Sequence, residues 1–162
     1  MDVPTRAWPQ VMSTPVEFAG IAKDSRKRPD FGLYEFQTDD GVWVRLHEMR
    51  FLGFDYVVQP ATLTMRFVYD DPKWTPPEAA ATPVAVFQFT DVLVWQWEDD
   101  YALMFETPQE ERGQISDFGY YAPTNVFSLE TLSTKLLFSA GRLVVRLEPL
   151  TNGQQPAGPD RL

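Results

Sequence analysis

Apolar side chains recur at every second position along much of this chain, a period that belongs to strands rather than helices. Leu63, Met65, Phe67 and Tyr69 alternate with Thr62, Thr64, Arg66 and Val68, which predicts a strand with one buried face. Leu143, Val145 and Leu147 alternate in the same way with Val144, Arg146 and Glu148. Leu136 to Ala140 precedes that run, and Gly141 can supply the positive φ of a tight turn, so residues 135–148 are expected as a hairpin. Asp39-Asp40-Gly41 marks a second turn, joining 33–37 to a strand that begins near Val42.

Two runs cannot be single flat strands. In 42–59, Val42, Val44 and Leu46 share one face while Met49 and Phe51 share the other parity. A bulge or corner near His47-Glu48 would bring all five to the core side, and Gly53 marks a further bend before Phe54–Gln59. The run Val84 to Trp97 is longer than ordinary strands and is expected to bend near Thr90-Asp91. That bend lets Asp91 leave the face holding Phe87, Phe89, Leu93, Trp95 and Trp97, where an unpaired carboxylate would be costly. Helical signal is thin: residues 98–106 are compatible with one or two turns, and 128–135 is ambiguous. About eight or nine short strands with polar turns predict an all-β, single-domain antiparallel β-sandwich or strongly curled sheet, with at most short helices. Residues 1–150 are expected as that domain, with a proline-rich surface loop over 70–83, and 151–162 as a disordered tail.

Charge and composition remove whole classes of function. Acids number 23 against 14 bases, for a net charge of −9, which argues against nucleic acid as partner. Cysteine is absent and there is one histidine. Thiolate metal sites and cysteine nucleophiles are thereby excluded, and a lone His47 beside Glu48 falls short of a clustered metal site. No serine sits in a nucleophile elbow and no phosphate loop or dinucleotide fingerprint occurs. No catalytic residues, no metal and no cofactor are therefore expected. With no signal peptide and no apolar run long enough to span a bilayer, the expected location is the cytoplasm, away from membranes.

Three constellations remain. From Asp91 to Glu111 there are seven acids and no lysine or arginine, with Trp95, Trp97 and Tyr101 interleaved. Aromatic anchors ringed by carboxylates suit a protein partner with a basic surface: the rings supply buried contact and the acids steer the encounter. The candidate partner-binding residues are Trp95, Trp97, Glu98, Asp99, Asp100 and Tyr101. The plainer alternative is an acidic solubilising loop beside core tryptophans. Second, Lys23-Asp-Ser-Arg26-Lys27-Arg28 is a compact basic cluster, expected in a loop, which can grip a phosphate or a partner's acids. Third, 12 Phe, 6 Tyr and 5 Trp are enough to line a ligand cavity as well as a core, with Tyr120, Tyr121 and Trp74 expected at the surface.

The order of strands carries one resemblance. Leu46-His47-Glu48, the alternating pair through Tyr69, the run Phe87-Gln-Phe-Thr-Asp-Val92 and the closing Leu143-Val-Val-Arg-Leu147 resemble small bacterial β-sandwich proteins that include immunity proteins of polymorphic toxin systems. The likeness covers residues 33–148 and rests on pattern. Glu48 stands in place of that group's aspartate, and Asp91 in place of its glycine. The resemblance implies a compact acidic antitoxin that occludes a toxin enzyme, with no catalytic residues of its own. The leading expectation is thus a non-enzymatic protein-binding module. The alternatives are a small-molecule binder with an aromatic-lined pocket and a carboxylate-based hydrolase with two facing acids.

Overall fold

The structure, a computed structural model, describes residues 15–99 and 114–151. Among the described residues eleven strands are formed: β1 (Glu17–Ala19), β2 (Glu35–Gln37), β3 (Trp43–Arg45), β4 (Arg50–Val57), β5 (Thr62–Val68), β6 (Val84–Thr90), β7 (Leu93–Asp99), β8 (Ile115–Tyr121), β9 (Val126–Thr131), β10 (Thr134–Ser139) and β11 (Arg142–Glu148). One helical turn, α1 (Lys23–Arg26), and two 3₁₀ turns, Leu46–Glu48 and Pro77–Ala79, complete the described elements. The chain is all-β and sandwich-like. One sheet has the order β1-β11-β6-β5-β4, the facing sheet β7-β10-β9-β8, and β2-β3 form a separate hairpin. Every pairing is antiparallel except β1 with β11.

The two-residue period accounts for the core. Leu63, Met65 and Phe67 of β5 are buried, as are Leu143 and Val145 of β11, and their register places them in rows with Phe87 and Phe89 of β6. Across the gap, Phe118 of β8, Leu129 and Phe127 of β9, and Leu136 and Phe138 of β10 form the opposing rows. The phenylalanines interlock edge-to-face and stacked, as with Phe89 against Phe138 at 4.8 Å and Phe127 against Phe138 at 5.1 Å between centroids. The 3₁₀ turn at Leu46–Glu48 supplies the expected corner: Val42, Val44, Leu46 and Met49 are buried, and Phe51 packs on the same core. At Gly53, φ is +126° and the β4–β5 register slips by one residue, which is the second expected bend.

The expected hairpin over 135–148 is not formed. Residue 139 ends β10 in one sheet and residue 142 begins β11 in the other, so this segment is a corner between sheets. Gly141 does not take a positive φ. Its role is proximity: a Cβ there would lie 3.0 Å from Asp91 Oδ2, and its N–H donates to the Thr90 carbonyl at 2.9 Å. The long run from Val84 turns at the same place, with Asp91 at φ +55°. The paired strands β6–β11 therefore bend together into the paired strands β7–β10. Because corners cut long runs in two, eleven short strands replace the smaller expected number.

Three further expectations change. Leu93 and Trp95 do not share the face of Phe87 and Phe89; after the corner Val92 and Val94 meet the core, and Trp97 returns to that side at the end of the row. Residues 98 and 99, expected in a helical turn, close strand β7 instead, and 100–106 lie outside the described residues. The basic cluster, expected as loop, contains α1, whose Ser25 is buried and accepts the Gln37 N–H at 3.0 Å. The 70–83 segment is the expected loop between β5 and β6, with Ala79 of its 3₁₀ turn buried. The predicted tail at 152–162 lies outside the described residues.

Candidate functional site

Strand β7 lies at an edge of its sheet, and its register distributes the candidate partner residues over two sides. Leu136 and Phe138 of β10 face the core, opposite Trp97 and Val94 respectively. The register slips between Leu137 and Phe138, so Trp95 is the extra residue of a bulge. Trp97 consequently belongs to the inner row but sits where that row runs out, 54% exposed. Its indole packs edge-on to Phe54 of β4 at 5.0 Å, and Phe54 in turn stacks with Phe51. These rings, with Asp99, Thr131 and Thr134, line a shallow hollow of about 270 Å³.

The acids are held differently from one another. Asp99 Oδ1 accepts the hydroxyl of its cross-strand partner Thr134 at 2.6 Å. Glu98 lies opposite Lys135 on the outer side and accepts from the Gln96 amide. Lys135 forms its ion pair with Glu130, at 3.7 Å. Trp95 donates its indole N–H to Ser139 Oγ at 2.6 Å, on the sheet's outer side with Glu98. Trp97 and Asp99 thus fall on one side of β7, Trp95 and Glu98 on the other, and Asp100 and Tyr101 lie outside the described residues. Phe54 is the member that sequence reasoning missed. The bend predicted at Gly53 was its only signal.

A second locus unites residues that are far apart in sequence. Arg26 and Arg28, at and after α1, meet Tyr120 and Tyr121 at the end of β8 around a pocket of about 410 Å³. Phe18 and Phe31 complete its wall: Phe18 packs edge-on to Phe31 at 5.6 Å and to Tyr120 at 5.2 Å. The Tyr120 hydroxyl donates to Asn125 Oδ1 at 2.7 Å, and burial holds its pKa above the ordinary tyrosine value. An adjoining cleft of about 450 Å³ carries Asp30, Glu35 and Asp117. Two of these acids are ion-paired, Asp30 with Arg28 at 3.4 Å and Glu35 with Arg45 at 3.2 Å. In the same cleft the Tyr34 hydroxyl is pushed above its ordinary pKa by burial and then by the nearby Asp117 carboxylate.

The 3₁₀ turn brings His47 Nε2 to 3.4 Å from Glu48 Oε1, and the imidazole lies tilted over Tyr34 at 5.7 Å. Among the described residues no group of three or more His, Asp or Glu side chains is placed to hold a metal ion. No helix among them is long and apolar enough to cross a membrane. Compared with protein-family models, with curated proteins and with solved structures, the chain finds no match in any of the three.

Proposed function

We propose that this protein is a non-enzymatic protein-binding module that docks a partner with a basic surface along the β7 edge. The observation that carries this reading is Trp97, a large aromatic left 54% exposed on an edge strand beside exposed Glu98 and Asp99. Tyr56, Trp74 and Tyr121 are exposed as well, but the β7 edge joins its exposed ring to two consecutive carboxylates and to a second aromatic face, that of Phe54. Trp97 and Glu98 lie on opposite sides of β7, so the partner approaches edge-on, where it reaches both rows. Burial of the Trp97 ring with the Phe54 face beneath it supplies contact energy; the carboxylates accelerate and orient the encounter. Thr134 already fixes Asp99, which lowers the entropy lost when that carboxylate meets a cation. The form this takes in an immunity protein is stoichiometric occlusion of a toxin enzyme's basic active-site rim.

The test starts with identification of the partner captured by the full chain from its native host, followed by binding kinetics. Trp97→Ala is expected to weaken binding by at least tenfold through faster dissociation. Reversal of Glu98, Asp99 and Asp100 to lysine is expected to slow association and flatten its salt dependence. Binding that survives that reversal unchanged at low and moderate salt would end the acidic-edge mechanism.

A further inference from the structure

The geometry points to a ligand site at the opposite edge of the same sheet: the pocket of Arg26, Arg28, Phe18, Phe31, Tyr120 and Tyr121 binds a small molecule that joins an anionic headgroup to a flat apolar body. β8 and β7 are the two outer strands of the sheet, so this site shares no residue with the docking edge. Its volume, about 410 Å³, is within the range of small-molecule pockets.

The charge on Arg26 carries the argument. Among the described residues, Arg28, Arg45, Arg50, Arg66 and Arg146 each pair with a carboxylate, and Arg142, which does not, is exposed at the start of β11. The cations stacked over rings are Arg45 on Trp43 and Lys73 on Trp74. Arg26 has neither kind of partner, in a chain where acids outnumber bases 23 to 14. Its Nε is closed off from solvent and meets no acceptor, a state that native interiors rarely tolerate without a ligand or water to complete it. A carboxylate or phosphate in the pocket gives this guanidinium the anionic partner that the paired arginines find within the chain. Arg28, at the mouth, is paired with Asp30, so the guanidinium of Arg26 is the uncompensated charge in the pocket wall. Over residues 23–30 four bases stand against two acids, Asp24 and Asp30, so the spot attracts anions although the chain as a whole repels them.

The walls define the rest of the ligand. Phe18, Phe31 and Tyr120 are fixed against one another edge-to-face, and the Tyr120 hydroxyl is already engaged by Asn125. They offer ring surface rather than further hydrogen bonds. Tyr121, 62% exposed at the rim, is free to close over a planar body.

The test is a titration of the ¹⁵N-labelled full chain, followed by NMR, with four probes: benzoate, phenyl phosphate, benzyl alcohol and inorganic phosphate. Benzoate and phenyl phosphate are expected to give saturable shifts at amides of 26–32 and 118–124, at least tenfold tighter than benzyl alcohol or inorganic phosphate. The tighter of the first two identifies the headgroup as carboxylate or phosphate monoester. Arg26→Gln is expected to weaken the tighter probe about tenfold, the loss of one charged hydrogen bond. Should that variant fail to fold, Tyr121→Ala, at an exposed position, is expected to weaken it several-fold. Shifts that map elsewhere, a neutral or ring-free probe that binds equally well, or affinity unchanged in the variant that folds would overturn the assignment. None of these results depends on whether the β7 edge binds a protein.

Discussion

The Tyr69 hydroxyl ties β5 to a hairpin with which it shares no strand pairing. It accepts the Arg45 N–H at 2.9 Å and donates to the Trp43 carbonyl at 2.7 Å, with the ring buried. Tyr69→Phe would leave both backbone groups of β3 without this partner. The expected cost is about 1–3 kcal/mol, read as a fall in Tm of roughly 2–10 °C with the fold retained. The same site sets a pH dependence. Burial, outweighing the stabilising hydrogen bond from the Arg45 backbone, pushes the Tyr69 pKa from 10.0 up to about 12. Between those values the unfolded chain has released this proton and the folded chain has not. The contribution is therefore fully present below pH 10 and is lost as pH rises through about 12. Thermal melts at pH 8, 10 and 11 are expected to show declining stability, less steeply in Tyr69→Phe. Tyr34 and Tyr120, raised in the same direction, supply the slope that remains.

Strands in this molecule are delimited by their corners, and corners are the part that periodicity describes least well. The alternation over 62–69 and 143–147 gave the buried faces of β5 and β11 because a half-buried strand has no other way to sort its side chains. The turn at 39–41 and the corner at 47–48 were legible for the same reason: polar or parity-breaking residues interrupt an otherwise regular pattern. Gly141 was misread because a glycine between two strands has the same appearance whether it reverses the chain or lets another segment pass close by. Here that segment is Asp91, whose side chain fills the space a Gly141 Cβ would need. Asp91 itself, at φ +55°, is in the left-handed region that aspartate tolerates and β-branched residues do not. Asp91→Val is expected to cost about 1–2 kcal/mol, whereas Asp91→Gly stays within about 1 kcal/mol of the parent. Chemical denaturation of the two variants checks this. Equal destabilisation by both would mean that the carboxylate, rather than the backbone conformation, holds the corner.

Across the whole molecule the two candidate loci differ in how far the sequence revealed them. The acidic edge was visible because its residues are contiguous, and a base-free stretch needs no folding to be noticed. Its division into two sides was not, since it depends on a bulge at Trp95 that the pairing with β10 creates. The Arg26 pocket was represented by two separate signals, a basic cluster and the pair Tyr120-Tyr121, joined only when β8 comes to rest beside the segment after α1. What holds both loci in place is one aromatic core shared by the two sheets. Phe89 is its centre: fully buried on β6, it contacts Phe118, Phe127 and Phe138 of three strands in the facing sheet. Because the bent strands also run from one sheet into the other, neither sheet retains its buried face if the other separates. Unfolding is therefore expected as a single transition, with far-ultraviolet circular dichroism, near-ultraviolet circular dichroism and calorimetry coincident. Phe89→Ala is expected to lower stability by about 3–5 kcal/mol, the usual range for deleting a core phenylalanine, without dividing that transition. A variant that melts in two steps, with the aromatic signal lost well before the strand signal, would show that the sheets fold as separate units.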